Sequence, residues 1–116
     1  LLFEAFYSYK QIINHNKYAN NYDYNKAIYL MNQTTLLENG FLLMKEDNSL
    51  HSPLAVLNYE YYEKEDAVSQ FIENNKEKIQ CIVGSKYIPF GKAQQPDLWD
   101  YADNVDTMKF LMSLKD

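Results

Sequence analysis

The stretch Ser52-Pro-Leu-Ala-Val-Leu-Asn-Tyr-Glu-Tyr-Tyr62 opens the part of the sequence that decides the fold. From residue 54 onward it is rich in residues that favour β-strands. A charged, amphipathic stretch follows over residues 63–78, and Ile79-Gln-Cys-Ile-Val83 then has the composition of another strand, which ends at Gly84. A strand–helix–strand order normally gives two parallel strands joined by a right-handed crossover. The sequence therefore predicts an α/β fold.

Two amphipathic helices are predicted upstream of this unit. A first helix over residues 2–14 is indicated by apolar residues at helical spacing, which are Leu2, Phe6, Tyr9 and Ile13. Residues 15–22 are polar and rich in Asn, which is typical of a connection. The second helix is predicted over residues 24–37 with Asp23 as its N-cap, and its apolar face would consist of Tyr24, Ala27, Ile28 and Met31.

Asn39-Gly40 admits two interpretations. It favours the C-terminal cap of the second helix, because glycine tolerates the left-handed backbone that such a cap needs. The alternative is a hairpin turn between residues 34–37 and 41–44. A short strand follows over residues 41–45, and after a turn at 46–49 the strand from Leu54 is expected to run antiparallel to it.

The remaining elements complete a β-β-α-β unit with a closing segment. The helix over residues 63–78 is expected to turn Ala67, Val68, Phe71 and Ile72 inward. Pro89 and Pro96 predict a loop after Gly84, because proline cannot donate to a central strand. Residues 107–114 are apolar and predict either a final helix or an edge strand. All 116 residues are expected to form a single domain.

Composition limits the classes of function. The net charge is −5 and all 11 basic residues are Lys, so neither a basic stripe nor a guanidinium is present to bind nucleic acid. No apolar run approaches the ~20 residues that span a bilayer. A single cysteine cannot form an internal disulfide, which is typical of a cytoplasmic protein. The sequence does not begin with Met and has no signal-peptide pattern, so we expect it to be part of a longer polypeptide.

Few residues are candidates for chemistry. Cys81 lies within an apolar run and is expected to be a buried packing residue rather than a nucleophile. His15 and His51 have no second ligand at metal-binding spacing, so no metal site is predicted. Tyr59, Tyr61 and Tyr62 are either ordinary strand residues or an aromatic binding surface.

Two stretches together resemble a known family. They are His15-Asn-Lys-Tyr-Ala-Asn-Asn-Tyr-Asp-Tyr-Asn-Lys26 and the region from Ile79 through Ile88-Pro-Phe-Gly-Lys-Ala-Gln-Gln-Pro-Asp-Leu-Trp-Asp-Tyr-Ala-Asp103 to Thr107. They are similar to the C-terminal third of acyl-CoA reductases of the Bacteroidetes type. Those enzymes are relatives of the fatty-acid reductase of the bacterial luciferase system, within the aldehyde dehydrogenase superfamily. The resemblance covers nearly the whole chain.

The resemblance implies a partial catalytic domain of an aldehyde dehydrogenase-like fold. Members reduce an acyl thioester to an aldehyde with NADPH, so acyl-CoA, NADP and the remainder of the polypeptide are the implied partners, and homo-oligomerisation is left open. The family's catalytic Cys would lie upstream, so no catalytic residue is expected in this chain. The family's cofactor-contacting turn, Glu-x-Phe-Gly-Pro, corresponds to Ser49-Leu-His-Ser-Pro53 and implies cofactor contacts by His51, Ser52 and Pro53, although only Pro53 matches.

The late Pro-Phe-Gly loop of the superfamily corresponds to Pro89, Phe90, Gly91 and Lys92, which implies a position near the substrate entrance. Lys92 is the one cation of this loop and is a candidate for contact with a phosphate of CoA or of the cofactor. The alternative is a rigid surface loop with Phe90 in the core. A second hypothesis for the whole chain is a small interaction module that binds a protein or glycan through its Tyr-rich surface.

Overall fold

The computed structural model describes residues 2–114 and shows a mixed α/β chain. Four α-helices and three strands are present in the described residues: α1 (Leu2–Phe6), α2 (Asn16–Met31), β1 (Leu36–Glu38), β2 (Leu43–Glu46), β3 (Val56–Tyr59), α3 (Glu65–Asn75) and α4 (Thr107–Ser113). Three 3₁₀ helices cover Tyr7–Asn14, Lys76–Lys78 and Ala102–Asn104. The chain divides into two compact units between Glu63 and Lys64.

The first unit, residues 2–63, contains the sheet and its core. The strands lie in the order β1-β2-β3, with β1 antiparallel to β2 and β2 parallel to β3. Helix α2 packs on this sheet, and the core consists of Tyr22, Leu43, Ala55 and Val56, with Ile13, Tyr18, Tyr29 and Leu36 packed against it. Leu43 is fully enclosed because it sits on the central strand beneath the helix.

Helix α2 overturns three expectations. Residues 15–22, predicted as a connection, are helical from Asn16 onward, and Asp23 lies inside the helix rather than capping it. The Asn side chains do not break the helix, because Asn21 Nδ2 donates to Lys17 O within it. The predicted apolar face is wrong as well, since its members Tyr24, Ala27, Ile28 and Met31 are exposed.

The face of α2 that packs on the sheet consists of Tyr and Asn side chains. Tyr18, Tyr22, Asn25 and Tyr29 recur at spacings of four, three and four residues, which places them on one side of a helix. Tyr18 donates its hydroxyl to Phe41 O at 2.7 Å, and Asn25 Nδ2 donates to Leu54 O at 3.1 Å. The rings of Tyr18 and Tyr22 therefore bury apolar surface while their hydroxyls remain hydrogen-bonded.

Asn39-Gly40 belongs to a hairpin, so the preferred interpretation as a helix cap is wrong. β1 pairs with β2 across residues 39–42, and Asn39 N donates to Leu42 O at 3.3 Å. Asn39 Oδ1 also accepts from the amides of Phe41 and Leu42, and Gly40 takes a φ of +91°. Leu36 and Leu37, predicted as the end of a helix, are consequently strand residues.

The expected antiparallel pairing of residues 41–45 with the strand from Leu54 is also wrong. β2 and β3 are parallel, and residues 47–55 carry the chain back along the sheet between them. This connection is shorter than the dozen or so residues that usually join parallel strands. Ala55, directly before β3, has a φ of +68°.

The second unit, residues 64–114, contains α3, α4 and the loops between them. The predicted helix at 63–78 is confirmed as α3 with a following 3₁₀ turn, although only Val68 and Ile72 of its expected inward face are partly buried. The predicted strand at 79–83 is absent, because the chain folds back on itself: Ile88 N donates to Ile82 O, and Gly84 N donates to Ile88 O. Residues 107–114 form the helical alternative, α4, whose N-cap Asp106 accepts from Lys109 N at 2.9 Å.

Candidate functional site

The predicted cofactor-contacting turn lies after the carboxyl end of β2. Ser49, His51, Ser52 and Pro53 are all exposed in the connection from β2 to β3. Ligands of open α/β sheets gather outside the carboxyl ends of parallel strands. β2 and β3 are parallel, so the start of this turn lies at a position suited to ligand contact, while Pro53 lies next to the first residue of β3.

Hydrogen bonds give this turn a defined shape. Ser49 N donates to Asp47 Oδ1 at 2.8 Å, and Ser49 Oγ donates to His51 O at 3.1 Å. Asn58 of β3 donates its side-chain amide to Ser49 O at 3.0 Å and to His51 O at 3.4 Å. At the far end, Val56 N donates to Pro53 O at 3.1 Å. The backbone of the turn is therefore tied to β3 at two places.

One ion pair borders the turn. Lys45 Nζ lies 2.6 Å from Asp47 Oδ2 and 4.9 Å from the centre of the Tyr29 ring. The Lys45 ammonium and the Ser49 amide lower the pKa of the Asp47 carboxyl, and the same ion pair raises the pKa of Lys45. Asp47 therefore stays ionised at neutral pH and continues to accept from Ser49 N.

The Pro89–Lys92 loop lies in the second unit. Lys92 N donates to Pro89 O at 3.1 Å, and Gly91 has a φ of +79°. A β-carbon built at Gly91 would meet nothing within 4 Å, so the glycine serves the backbone angle and not a close approach by a neighbour. Phe90 is 82% exposed, which overturns the alternative that placed it in the core.

The two groups of predicted site residues belong to different units of the chain. His51, Ser52 and Pro53 belong to the first unit, and Pro89 to Lys92 belong to the second. The predicted strand at residues 79–83 is absent, so the Pro89–Lys92 loop does not follow a strand. Lys92 Nζ donates to Gln95 Oε1 at 2.8 Å within its own loop, and its contact with a phosphate stays a prediction.

Cys81 is exposed, so its prediction as a buried packing residue is wrong. The error follows from the missing strand, because Ile79–Val83 would bury Cys81 only if it entered a sheet. Cys81 instead lines a cavity of about 360 Å³ together with Ile72, Ile79 and Ile82.

A second cavity in the same unit, of about 620 Å³, is lined by Lys76, Lys78, Gln80 and Asn104 among others. Neither of these two cavities is lined by a predicted site residue. Within residues 2–114, no three side chains of His, Cys, Asp or Glu are grouped to hold a metal ion. No helix in that range is long and apolar enough to cross a membrane.

The Tyr-rich segment is largely exposed. Tyr61 is 76% exposed, and its ring meets that of Tyr59 edge to face with centres 5.6 Å apart. Tyr62 is exposed as well. These rings offer aromatic surface beyond the end of β3.

Asn58 and Asp47 are the two residues of this region that inspection of the sequence missed. Asp47 lies in a turn cluster, where acidic residues are commonplace. Asn58 does carry a signal, because Asn is unusual in the middle of a strand and stands between Leu57 and Tyr59.

Comparisons with known proteins give no match: no family model, no curated protein and no solved structure was found to be similar to this chain.

Proposed function

We propose that this chain forms the C-terminal part of the catalytic domain of an acyl-CoA reductase with an aldehyde dehydrogenase-like fold. The observation that carries the proposal is the stretch from Ile88 to Asp103, with its Pro-Phe-Gly and Trp-Asp-Tyr-Ala-Asp motifs. The overall reaction would consume an acyl-CoA, NADPH and a proton, and would release an aldehyde, CoA and NADP⁺.

The backbone of the Pro-Phe-Gly motif in this chain forms a tight turn. The bond from Lys92 N to Pro89 O closes a four-residue turn, and Gly91 has the φ of about +80° that the third position of a type II turn requires. Glycine is the residue that this third position favours. Phe90 is left pointing out of the turn as an aromatic contact surface.

The exposure of large apolar side chains supports membership of a larger protein. Leu98 is 95% exposed and Trp99 is 72% exposed, and both lie within the stretch that carries the resemblance. Burying one such side chain stabilises a protein by roughly 1.5–3 kcal/mol. The family resemblance supplies what would cover them, namely the remainder of the catalytic domain.

In this proposal the turn at Ser49–Pro53 contacts the nicotinamide ribose, and the loop at Pro89–Lys92 borders the substrate entrance. The nucleophilic thiol would come from elsewhere in the polypeptide. Support for the turn comes from its start, which follows the carboxyl end of β2 in the parallel pair.

The complete reading frame that contains this sequence should be expressed and assayed for NADPH oxidation that depends on acyl-CoA. We expect aldehyde, trapped as a hydrazone, to form in equal amount to NADP⁺ and free CoA. The chain of residues 1–116 alone should be inactive in the same assay. Acyl-CoA reduction by the isolated chain, or its absence from an intact, folded gene product, would contradict the proposal.

Lys92 allows a test of the substrate loop. Lys92→Ala in the complete gene product should raise KM for acyl-CoA or for NADPH, and the increase should be larger at low salt because salt screens a charge–phosphate contact. Lys109→Ala, which removes a charge of α4, is the matched control. KM values that are unchanged for both substrates at both salt concentrations would remove Lys92 from the site.

The exposed tyrosines favour a second candidate, an interaction module that binds a protein or glycan. The edge-to-face pair of Tyr59 and Tyr61 is the observation in its favour. Tyr61→Ala with Tyr62→Ala should abolish binding in a glycan-array and pull-down experiment if this candidate holds. The same double variant should leave acyl-CoA reduction unchanged if the first proposal holds.

A further inference from the structure

One side chain, that of Asn58, connects the middle of the predicted cofactor turn to the sheet. Its Nδ2 donates to Ser49 O at 3.0 Å and to His51 O at 3.4 Å. The other bonds at this point, between Ser49 and His51, are internal to the turn. Asn58 therefore sets the position of Ser49 and His51 relative to β3.

Asn58 holds this position at a cost to the stability of the sheet. Asn is among the residues disfavoured in strands. Its Oδ1 is shielded from solvent and has no hydrogen-bond partner among the described residues. A shielded acceptor without a partner lowers the stability of the fold.

The two hydrogen bonds that Asn58 donates do not offset this loss of stability. Ser49 and His51 are exposed, so water can satisfy their carbonyl oxygens when Asn58 is replaced. An apolar side chain at position 58 would suit the strand better. Stability does not explain an asparagine at position 58, whereas a role in shaping the turn does.

We infer that Asn58 is a positioning residue, which holds the Ser49–Pro53 turn in the shape that binds NADPH. The inference rests on the proposed function. Asn58 acts through Ser49 and His51, and preorganisation of this kind strengthens binding because the turn loses less freedom when the ligand arrives.

The test replaces Asn58 by Leu in the complete gene product. We expect the Kd for NADPH to rise about tenfold, while the melting temperature stays the same or increases. The value of kcat at saturating NADPH should change little, because the turn acts on binding and not on the chemical step. Hydrogen exchange of the amides at residues 49–52 should accelerate.

Two further variants sharpen the result. Asn58→Asp keeps the shape of the side chain but puts an oxygen against two carbonyl oxygens, so it should weaken NADPH binding at least as much as Leu. Asn48→Leu changes an exposed Asn of the same connection and should leave the Kd unchanged.

The outcomes separate the inference from the function on which it rests. An unchanged Kd in Asn58→Leu, or a lower melting temperature with a proportionate loss of all activity, would overturn the positioning role alone. Failure of the unmodified, folded gene product to bind NADPH would overturn the proposed function and the inference together.

Discussion

Ala55 shows how a single backbone angle governs the sheet. It is buried in the core and has a φ of +68°, a region that L residues other than Asn and Asp seldom occupy. The residue next to it, Val56, begins β3, so the angle at Ala55 sets where the parallel strand starts. The sequence gives no hint of this, because alanine is typical of helices and tolerated in strands.

Ala55 should therefore tolerate Gly better than Val. Glycine loses a buried methyl group but relieves the backbone strain, whereas a β-branched residue adds both strain and bulk, at a cost of about 1–3 kcal/mol. Ala27, exposed on α2, is the matched control, where Gly should cost about 1 kcal/mol and Val less. Urea unfolding of the four variants measures this. If the Gly and Val variants rank in the same order of unfolding free energy at positions 55 and 27, Ala55 is not strained.

A hydrogen bond between Tyr22 and Glu38 connects α2 to β1. Its hydroxyl donates to Glu38 Oε2 at 2.8 Å, and Lys26 Nζ lies 2.6 Å from the same oxygen. Burial first, and the bond to Glu38 second, raise the pKa of the Tyr22 hydroxyl. The Lys26 ammonium and then the Tyr22 hydroxyl lower the pKa of Glu38.

The raised pKa of Tyr22 predicts a loss of stability in alkali. The unfolded chain releases this proton near pH 10, before the folded chain does, so the contribution is complete below about pH 10 and falls as pH rises toward the folded-state pKa. Tyr22→Phe should cost about 1 kcal/mol near neutral pH and should reduce the alkaline fall. Urea unfolding over that pH range provides the measurement, with exposed Tyr24→Phe as control. An alkaline fall as steep in Tyr22→Phe as in the unmodified chain would contradict the assignment.

At the scale of elements, the sequence predicted local structure better than pairing. Helix α3 was predicted near its true position because charged and apolar residues occur there at helical spacing, whereas residues 107–114 were left open between the helix that forms, α4, and an edge strand. Asn39-Gly40 was misassigned because a helix cap and a hairpin turn both require glycine at positive φ. What decides between them is the pairing of Leu36–Glu38 with β2, which is a tertiary contact.

The second helix was predicted at residues 24–37 instead of Asn16–Met31. Its inward-facing residues, Tyr18, Tyr22, Asn25 and Tyr29, count as polar on hydropathy scales, so their helical spacing was overlooked. These residues become a core face only because Phe41 O, Glu38 and Leu54 O accept their hydrogen bonds. The candidate turn at Ser49–Pro53 rests on the family resemblance and stays a prediction. Its anchor, Asn58, depends on the parallel pairing of β2 and β3, which the sequence did not indicate.

The hairpin makes a specific prediction about Asn39. Asn39→Ala removes the acceptor for the amides of Phe41 (3.2 Å) and Leu42 (2.9 Å), and should lower the free energy of unfolding by about 1 kcal/mol. Asn48→Ala, in an exposed turn, should change it by less than about 0.5 kcal/mol. Chemical denaturation measures both, and equal effects of the two substitutions would show that Asn39 does not hold the turn.

At the scale of the whole molecule, burial is unevenly distributed. Every buried residue of the described chain lies in residues 2–63, and none lies in residues 64–114. The first unit has a sheet with a helix packed on it. The second has helices with many large apolar residues at the surface, including Phe110, Leu111 and Met112. Few buried apolar contacts imply a low free energy of local opening.

Hydrogen exchange should reveal this difference directly. In the chain of 116 residues, the slowest amides should be those of α2 and the β2–β3 ladder, such as Leu43 N, which donates to Ala55 O at 2.9 Å. Amides of α3 and α4 should exchange much faster, because opening those helices exposes little surface that is not already exposed. In the complete gene product, protection of residues 64–114 should rise by at least about tenfold, since covering their apolar side chains makes opening costlier. Fast exchange of residues 64–114 in both proteins would show that nothing else in the polypeptide packs against them. Slow exchange in the isolated chain would show that these residues are stable without such packing.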